Sequence, residues 1–282
     1  MKRFLGSVAG RLIFESDLKA ALTKNAAVVV TFHRVDDLAD SRGLTISVEM
    51  FDRYCRFFRR HFRVTSLRTL VDKLARGAPL RGELAITFDD GYRDNFVNAA
   101  PVLEKLSLPA TFFVVSQWMD SQVVPWWDDE QGLRVPWMTW DQVRSLHRRG
   151  FDIGGHTRTH VDLGGVAGAD ARDEIAGGRT DIEHELGAAV DLFAYPYGGR
   201  ANLTEANRAL VRSAGFSCCC SAFNGINGSG TDPFDVKRIP ISPWYRSPYQ
   251  FGFDVARDMA ASGRQRGRPS LVTHVRRHDS VA

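Results

Sequence analysis

The sequence predicts an α/β fold of parallel strands joined by crossover helices, either a barrel or a doubly wound sheet. Three observations carry that prediction. Short apolar runs alternate with amphipathic stretches along most of the 282 residues. No GxGxxG or GxxxxGK(S/T) pattern stands at any strand-to-helix turn, which argues against a nucleotide-binding sheet. The residues with chemistry on them fall at the ends of the apolar runs, where barrel enzymes place their reactive groups. The length permits one large domain or two small ones. With no internal repeat, and no Pro/Gly linker before about residue 262, one domain is the simpler reading.

Taken in order, residues 12–24 have the spacing of a short amphipathic helix, with Phe14, Leu18, Ala21 and Leu22 on one side. NAAVVVTFHRV (25–35) is a buried-strand pattern that ends on His33. After a polar loop, FDRYCRFFRRHF is helical, and FRVTSLRTLVDKLARG is a strand and then a helix stopped by Gly77. GELAITFDDG is a strand running into an acidic turn, NFVNAAPVLEKLSL its returning helix, and PATFFVVSQW the next strand. A Trp-rich insertion precedes the helix TWDQVRSLHRRG, with Thr139 placed to cap it. FDIGGHT, DLFAYPYG and FSCCCSAF follow as strands, separated by helical stretches, the last closed by Gly215. The organisation expected is an N-terminal helical extension (1–24), a main domain (25–262) and a basic tail (263–282).

Apolar content of 44% and charged content of 25% suit a soluble globular protein. The net charge of +4 collects in GRQRGRP and VRRH near the C-terminus, without the aromatic interleaving of a nucleic-acid groove. Cys55 and the trio Cys218, Cys219 and Cys220 form neither a disulfide framework nor a CxxC zinc knuckle, because neighbouring strand residues face opposite ways. Arg11 interrupts the only signal-like apolar run, and no stretch approaches the ~18 apolar residues of a membrane span. The expectation is a cytoplasmic or peripherally membrane-associated protein, and the sequence does not define its oligomeric state.

Asp89-Asp90 by itself reads as a turn, since Asp-Gly is a routine turn signal. HTRTH (156–160) says more, because two His four apart can share one face of a helical turn and grip one ion. Two His and one carboxylate leave open positions on a divalent cation for water and substrate, the mark of a catalytic site. A second carboxylate can then serve as base.

TFDDG (87–91), HTRTH (156–160) and FAYPYGG (193–199) together resemble the first three motifs of the polysaccharide deacetylases, the NodB-homology enzymes of carbohydrate esterase family four. The resemblance runs from about residue 25 to 245. It implies a distorted, incomplete (β/α) barrel and metal-dependent removal of acetyl groups, usually from N-acetylglucosamine units. By motif it makes Asp89 the base, and Asp90, His156 and His160 the ligands of zinc, or of cobalt, nickel or manganese. The Tyr197 N–H becomes an oxyanion donor. The sequence departs from the family twice. Ala194 stands where an Arg often orients the base, and Arg238 in KRIPI is the expected substitute. The usual His-bearing last strand is replaced either by LVTH, ending in His274, or by the first strand. In a subgroup resembling the poly-N-acetylglucosamine deacetylases that strand is moved to the front, which favours His33 as general acid.

Of the Trp-rich insertion, Trp127 is the expected sugar-stacking residue, although packing is the ordinary use of tryptophan. His61, His147 and His184 read as solvated helical residues, and Asp94 as a helix cap. An O-acetyl esterase, a cyclic-amide hydrolase and a non-catalytic carbohydrate-binding relative are the rival readings.

Overall fold

The computed structural model describes residues 2–266, apart from Asp17, Ala167 and Asn224. His274 and most of the basic tail lie outside the described residues. Helix α1 (Lys2–Phe14) is followed by α2 (Leu18–Thr23), so the single helix expected over 12–24 is in fact two. Strand β1 (Ala26–Phe32) is buried along its whole length, as its unbroken Ala/Val run requires for a parallel strand covered on both faces. β2 (Arg34–Val35) and β3 (Thr45–Ile46) form a separate small ladder beyond its end. Helix α3 (Val48–His61) is capped by the Ser47 side chain, β4 (Arg63–Val64) follows, and Ser66 caps α4 (Leu67–Ala75). β5 (Glu83–Phe88) leads through a wide turn at Asn95–Ala99 into α5 (Ala100–Lys105). After β6 (Thr111–Val114) the Trp-rich insertion holds only the single turn α6 (Trp126–Asp129). α7 (Trp140–Arg148) begins at the expected cap, Thr139, which forms a capping box with Gln142. β7 (Asp152–Gly155), α8 (Gly168–Arg172), α9 (Gly178–Leu186), β8 (Leu192–Ala194), α10 (Glu205–Ser213) and β9 (Cys218–Cys220) continue the alternation. β10 (Asn227–Gly228), β11 (Ile239–Pro240) and α11 (Pro248–Arg266) complete it.

Among the described residues nine of these strands make one sheet, with the path β10-β1-β5-β6-β7-β8-β9, β4 beside β5 and β11 beside β1. Every pairing within it is parallel except that of the two-residue β10. The ring closes through a short segment rather than a strand. Val236 bridges to Cys220, and three residues later Ile239–Pro240 pair with Val30–Thr31. This is the distorted, incomplete (β/α) barrel.

Alternation along the strands divides the core. Ala27, Val29, Ala85, Phe113, Leu192, Ala194, Cys218 and Cys220 pack with Leu67, Leu70, Val71 and Leu74 of α4 in one cluster. Val28, Val30, Phe32, Phe88, Phe112 and Cys219 belong to the larger cluster under the other helices, where the Phe32, Phe88 and Phe112 rings stack in sequence. All four cysteines are buried and unpaired, so the consecutive trio is a packing feature.

α1 lies against α11, and Gly10 makes the approach possible, since a Cβ there would sit 1.9 Å from the Tyr249 carbonyl oxygen. His61 is not solvated, as the sequence led one to expect. It is buried among Phe14, Phe57 and Tyr249, and that burial lowers its pKa. His147 and His184 are exposed.

Asp94 does not cap a helix. Its Oδ1 accepts from the Val35 N–H at 2.8 Å and from Asn95 Nδ2 at 2.7 Å, tying β2 to the turn after β5. Burial pushes the carboxyl up to about 7, aided by the Asp36 charge and opposed by the Val35 N–H, Asn95 and Arg34. Between about pH 4 and 7 the native state therefore keeps a proton that the unfolded chain has released. Stability should fall as pH rises through that window, by up to roughly 4 kcal/mol at 1.36 kcal/mol per unit. Urea midpoints at pH 5 and pH 8 should show that fall in the parent chain and a smaller one in Asp94→Asn. Equal falls would remove Asp94 as the cause.

Candidate metal and catalytic site

Register brings the three motifs to one rim. β1 and β5 pair residue for residue up to Phe32 opposite Phe88, so His33 and Asp89 leave the sheet at the same level. The Asp89 N–H donates to the Phe32 carbonyl at 3.0 Å. Val114 pairs with Gly155, Gly155 with Phe193, and Ala194 with Cys220, which carries His156 and Tyr197 to that same C-terminal edge. His33, Asp89, Asp90, His156, His160, Trp127 and Tyr197 all line a cavity of about 350 Å³ there.

Asp90 Oδ1 lies 3.3 Å from Nε2 of His156 and 3.3 Å from Nε2 of His160. Three donor atoms of these residues fall within 4.8 Å of one another, and all three residues are buried. Asp90 Oδ1 has no hydrogen bond of its own among the described residues. Burying such an oxygen beside two imidazole nitrogens is costly unless something positive sits between them. The donor set therefore fits a divalent cation, with nitrogen and oxygen ligands of the kind zinc takes. His156 Nδ1 lies 2.8 Å from the Ala194 carbonyl oxygen, which can only accept, so Nδ1 carries the proton and Nε2 presents its lone pair. The His160 ring is held by aromatic packing, stacked 5.1 Å from Trp118 and edge-on to Tyr197 at 5.0 Å.

The two histidines do not share a face of a helical turn, contrary to the expectation from their spacing. His156 follows β7 directly, and Thr157 (φ 64°) and His160 (φ 62°) take left-handed conformations that fold the loop back. Asp90 (φ 73°) and Tyr197 (φ 61°) do the same. Strained non-glycine backbone gathers at functional sites, where the surroundings over-determine it. Here the carboxylate of Glu174 accepts both the Arg158 and Thr159 N–H groups at 3.0 Å, and Arg158 grips Asp173 and Asp181.

Asp89 is held differently. Arg238 is fully buried and grips it with both ends of the fork, Nη1 to Oδ1 at 2.6 Å and Nη2 to Oδ2 at 2.7 Å. Its Nε donates to the Ser221 carbonyl at 2.7 Å, and Nη1 also reaches the Thr87 and Thr31 hydroxyls. Burial pushes the Asp89 carboxyl up, but the charge and hydrogen bonds of Arg238, together with the nearby His156 and His33, outweigh it and hold the group below the ordinary carboxylate range. Arg238 thus stands beside the carboxylate that Ala194 cannot reach.

The residue after His33 has its own task. Arg34 is fully buried, with Nη1 2.6 Å from Asp128 Oδ1 and Nη2 3.1 Å from Asp40 Oδ2. Asp40 Oδ2 in turn accepts the Leu44 and Thr45 N–H groups, and Asp128 accepts from the Tyr92 hydroxyl at 3.1 Å. One guanidinium therefore anchors both the loop at 40–45 and the Trp-rich insertion, the two walls of the cavity. Sequence reading missed this clamp, because Asp128-Asp129 looks like any turn. Trp127 lines the cavity but is only 6% exposed, and its Nε1 donates to the Tyr92 hydroxyl at 2.9 Å. The open rings at the mouth are Trp126, 50% exposed beneath the Arg42 guanidinium, and Tyr197.

Comparison with known proteins agrees with this geometry. The family model described as polysaccharide deacetylase matches residues 76–218, a span that holds Asp89, Asp90, His156, His160 and Tyr197 but neither His33 nor Arg238. YxkH of Bacillus subtilis (strain 168) is 25% identical over 158 residues, 56% of this chain and 51% of that protein. Poly-β-1,6-N-acetyl-D-glucosamine N-deacetylase of Escherichia coli (strain K12) is 28% identical over 141 residues, 47% of this chain and 21% of that enzyme. The chain thus spans about half the length of the first relative and a fifth of the second. Among solved structures, IcaB from Ammonifex degensii superposes with a TM-score of 0.68 at 26% identity, covering 82% of this chain and 97% of that one. The Streptococcus pyogenes deacetylase PplD, in complex with acetate, gives 0.69 at 18% identity over 84% and 99%, a likeness of fold. With its family model matched over half of its length, the chain belongs to the polysaccharide deacetylase family.

Proposed function

We propose that this chain is a divalent-metal-dependent hydrolase that removes N-acetyl groups from a glucosamine-containing glycan or glycan precursor. The observation that carries the reading is the separation of two adjacent carboxylates. Asp90 faces the two imidazoles, and Asp89 is locked to Arg238 on the wall of the same cavity. The named activity of the E. coli relative supports the substrate class.

Asp90, His156 and His160 would hold the cation, with zinc our first choice and cobalt, nickel and manganese the ions to compare. When bound, it supplies Lewis acidity to the acyl carbonyl and acidifies water. Asp89 takes the proton of the attacking water, and Arg238 keeps that base ionised and aimed. The Tyr197 N–H helps to hold the negative charge that develops on the carbonyl oxygen, a role worth about 2.7–4 kcal/mol for one donor. His33, on the wall of the same cavity, hands a proton to the amine as the C–N bond breaks. The Asn95 amide donates to the His33 carbonyl at 2.8 Å and fixes the backbone of that residue. The products are acetate and the free amine.

The test is acetate release from N-acetylglucosamine oligomers by stripped, Zn²⁺-loaded and Co²⁺-loaded protein, with metal content measured in parallel. The expected result is about one ion per chain and release only from loaded protein. Stoichiometric binding without release would replace the N-acetyl substrate by O-acetyl esters or cyclic amides. Absence of metal binding would sink the mechanism. No helix among the described residues is long and apolar enough to cross a membrane.

A further inference from the structure

Strand β2, which carries the chain away from His33, pairs with a strand on one edge only among the described residues. On that edge the Leu44 carbonyl accepts the Arg34 N–H at 3.1 Å, and the Ile46 carbonyl accepts that of Asp36 at 3.0 Å. On the other edge, three side chains of the turn after β5 stand where a strand would. Asn95 Nδ2 donates to the His33 carbonyl, Asp94 Oδ1 accepts the Val35 N–H, and Asn98 Nδ2 donates to the Val35 carbonyl, each at 2.8 Å. Buried backbone groups must find partners, and here carboxylate and amide side chains supply them. Asn95 Nδ2 also donates to Asp94 Oδ1 at 2.7 Å, which ties the row together. Asp94 and Asn95 are buried and Asn98 is half-buried. Asn95–Ala99 is a widened, π-type helical turn, a geometry that recurs at functional sites.

The ring of His33 has no such support of its own. The two imidazoles of the ligand cluster are fixed directly, His156 through Nδ1 to the Ala194 carbonyl and His160 by its contacts with Trp118 and Tyr197. The His33 ring lines the same cavity, yet it has neither a hydrogen bond nor a stacking partner among the described residues. Its aim is therefore set from the backbone side. The next residue adds to this, because the buried Arg34 guanidinium is held by Asp128 and Asp40.

We infer that Asn95 is a positioning residue for His33, and that its amide, continued on either side by Asp94 and Asn98, fixes the backbone from which the imidazole reaches the leaving nitrogen. The inference rests on the deacetylase reading for the role of His33. A proton donor misplaced by a fraction of its reach loses much of its effect, and the amide C–N bond must then break onto an unprotonated nitrogen. An activated ester makes no such demand. When its C–O bond breaks, 4-nitrophenolate leaves with the electron pair and needs no proton. Asn95 therefore matters for amides and hardly at all for that ester, a selectivity that general loosening of the fold would not produce.

The test is steady-state kinetics of the intact, Zn²⁺-loaded chain on N-acetylglucosamine oligomers and on 4-nitrophenyl acetate, with metal content measured on every sample. Asn95→Ala should lower kcat on the oligomers by about 10- to 100-fold, with KM and metal content unchanged. Its hydrolysis of the ester should change by less than about threefold. His33→Ala should show the same selectivity with a larger loss, and Asp89→Asn should lose both substrates. Asn98→Ala, at a half-buried position, should show a smaller loss of the same kind and keeps the test open if Asn95→Ala does not fold. Equal losses on the two substrates in these asparagine variants, no loss on either, or His33→Ala without the selectivity overturns the positioning role. A parent chain that binds zinc but releases no acetate from the oligomers overturns deacetylation instead. Imidazole NMR then decides the positioning by itself. The His33 ring signals, assigned with His33→Ala, should move in Asn95→Ala while those of His156 and His160 stay, and unmoved His33 signals overturn the inference.

Discussion

Asp89→Asn should cut acetate release from N-acetylglucosamine oligomers by about 10²–10⁴-fold and leave metal content unchanged. Asp90→Asn, one residue further on, should lose both. The contrast follows from where the two carboxylates point. Both oxygens of Asp89 are taken by Arg238, so its amide replacement removes a base without touching the imidazoles. Asp90 Oδ1 faces both His Nε2 atoms, so an amide there removes the only negative donor of the cluster. Metal content by elemental analysis and turnover by acetate release are separate readouts, and circular dichroism establishes that each variant is folded. Loss of metal from both variants would mean that the carboxylates share the ion, and the division of labour would then be wrong.

The strand-and-helix alternation was legible because parallel strands buried on both faces need continuous apolar runs, and helices covering them need a 3.6-residue pattern. β1, β5, β6 and the cap at Thr139 all lie where those patterns put them. The candidate ligand cluster was legible as residue types at a spacing. What the spacing concealed was the backbone that unites them, since four left-handed residues, Asp90, Thr157, His160 and Tyr197, carry no glycine to announce them. Burial of charge was concealed for a related reason. Charged side chains usually lie at the surface, so Arg34 and Asp128 carried no sign of burial, and only the fold brings Arg34 to Asp128, 94 positions away, and Arg238, the expected partner of Asp89, to it across 149. Trp127 shows the limit from the other side. Composition marked the aromatic insertion, but which indole faces water depends on the hydrogen bond to Tyr92, which sequence does not display.

Arg238→Met should cost about 3–5 kcal/mol of stability, because it leaves a carboxylate buried without its partner. The same change should move the acid limb of kcat/KM to higher pH. In the parent chain Arg238, with help from His156 and His33, overcomes burial and keeps Asp89 below its ordinary range, so this group stabilises the fold above the unfolded carboxylate pKa and that contribution is lost as pH falls. Without the guanidinium, only the weaker influence of His156 and His33 opposes burial, and Asp89 moves up. The native state then holds a proton that the unfolded chain releases, so the sign reverses and stability declines as pH rises above about 4. A base that protonates at higher pH fails at higher pH, which shifts the activity limb the same way. Arg238→Lys keeps a charge but loses the two-pronged grip, and should fall between the two. The double variant Asp89→Asn/Arg238→Met should regain part of the stability that either single change loses, since neither partner is then left as an uncompensated buried charge. Urea unfolding across pH 4–8, with pH–rate profiles on the same proteins, reads both effects. A destabilised Arg238→Met with an unmoved acid limb would leave Arg238 as a structural ion-pair partner and take the role of base away from Asp89.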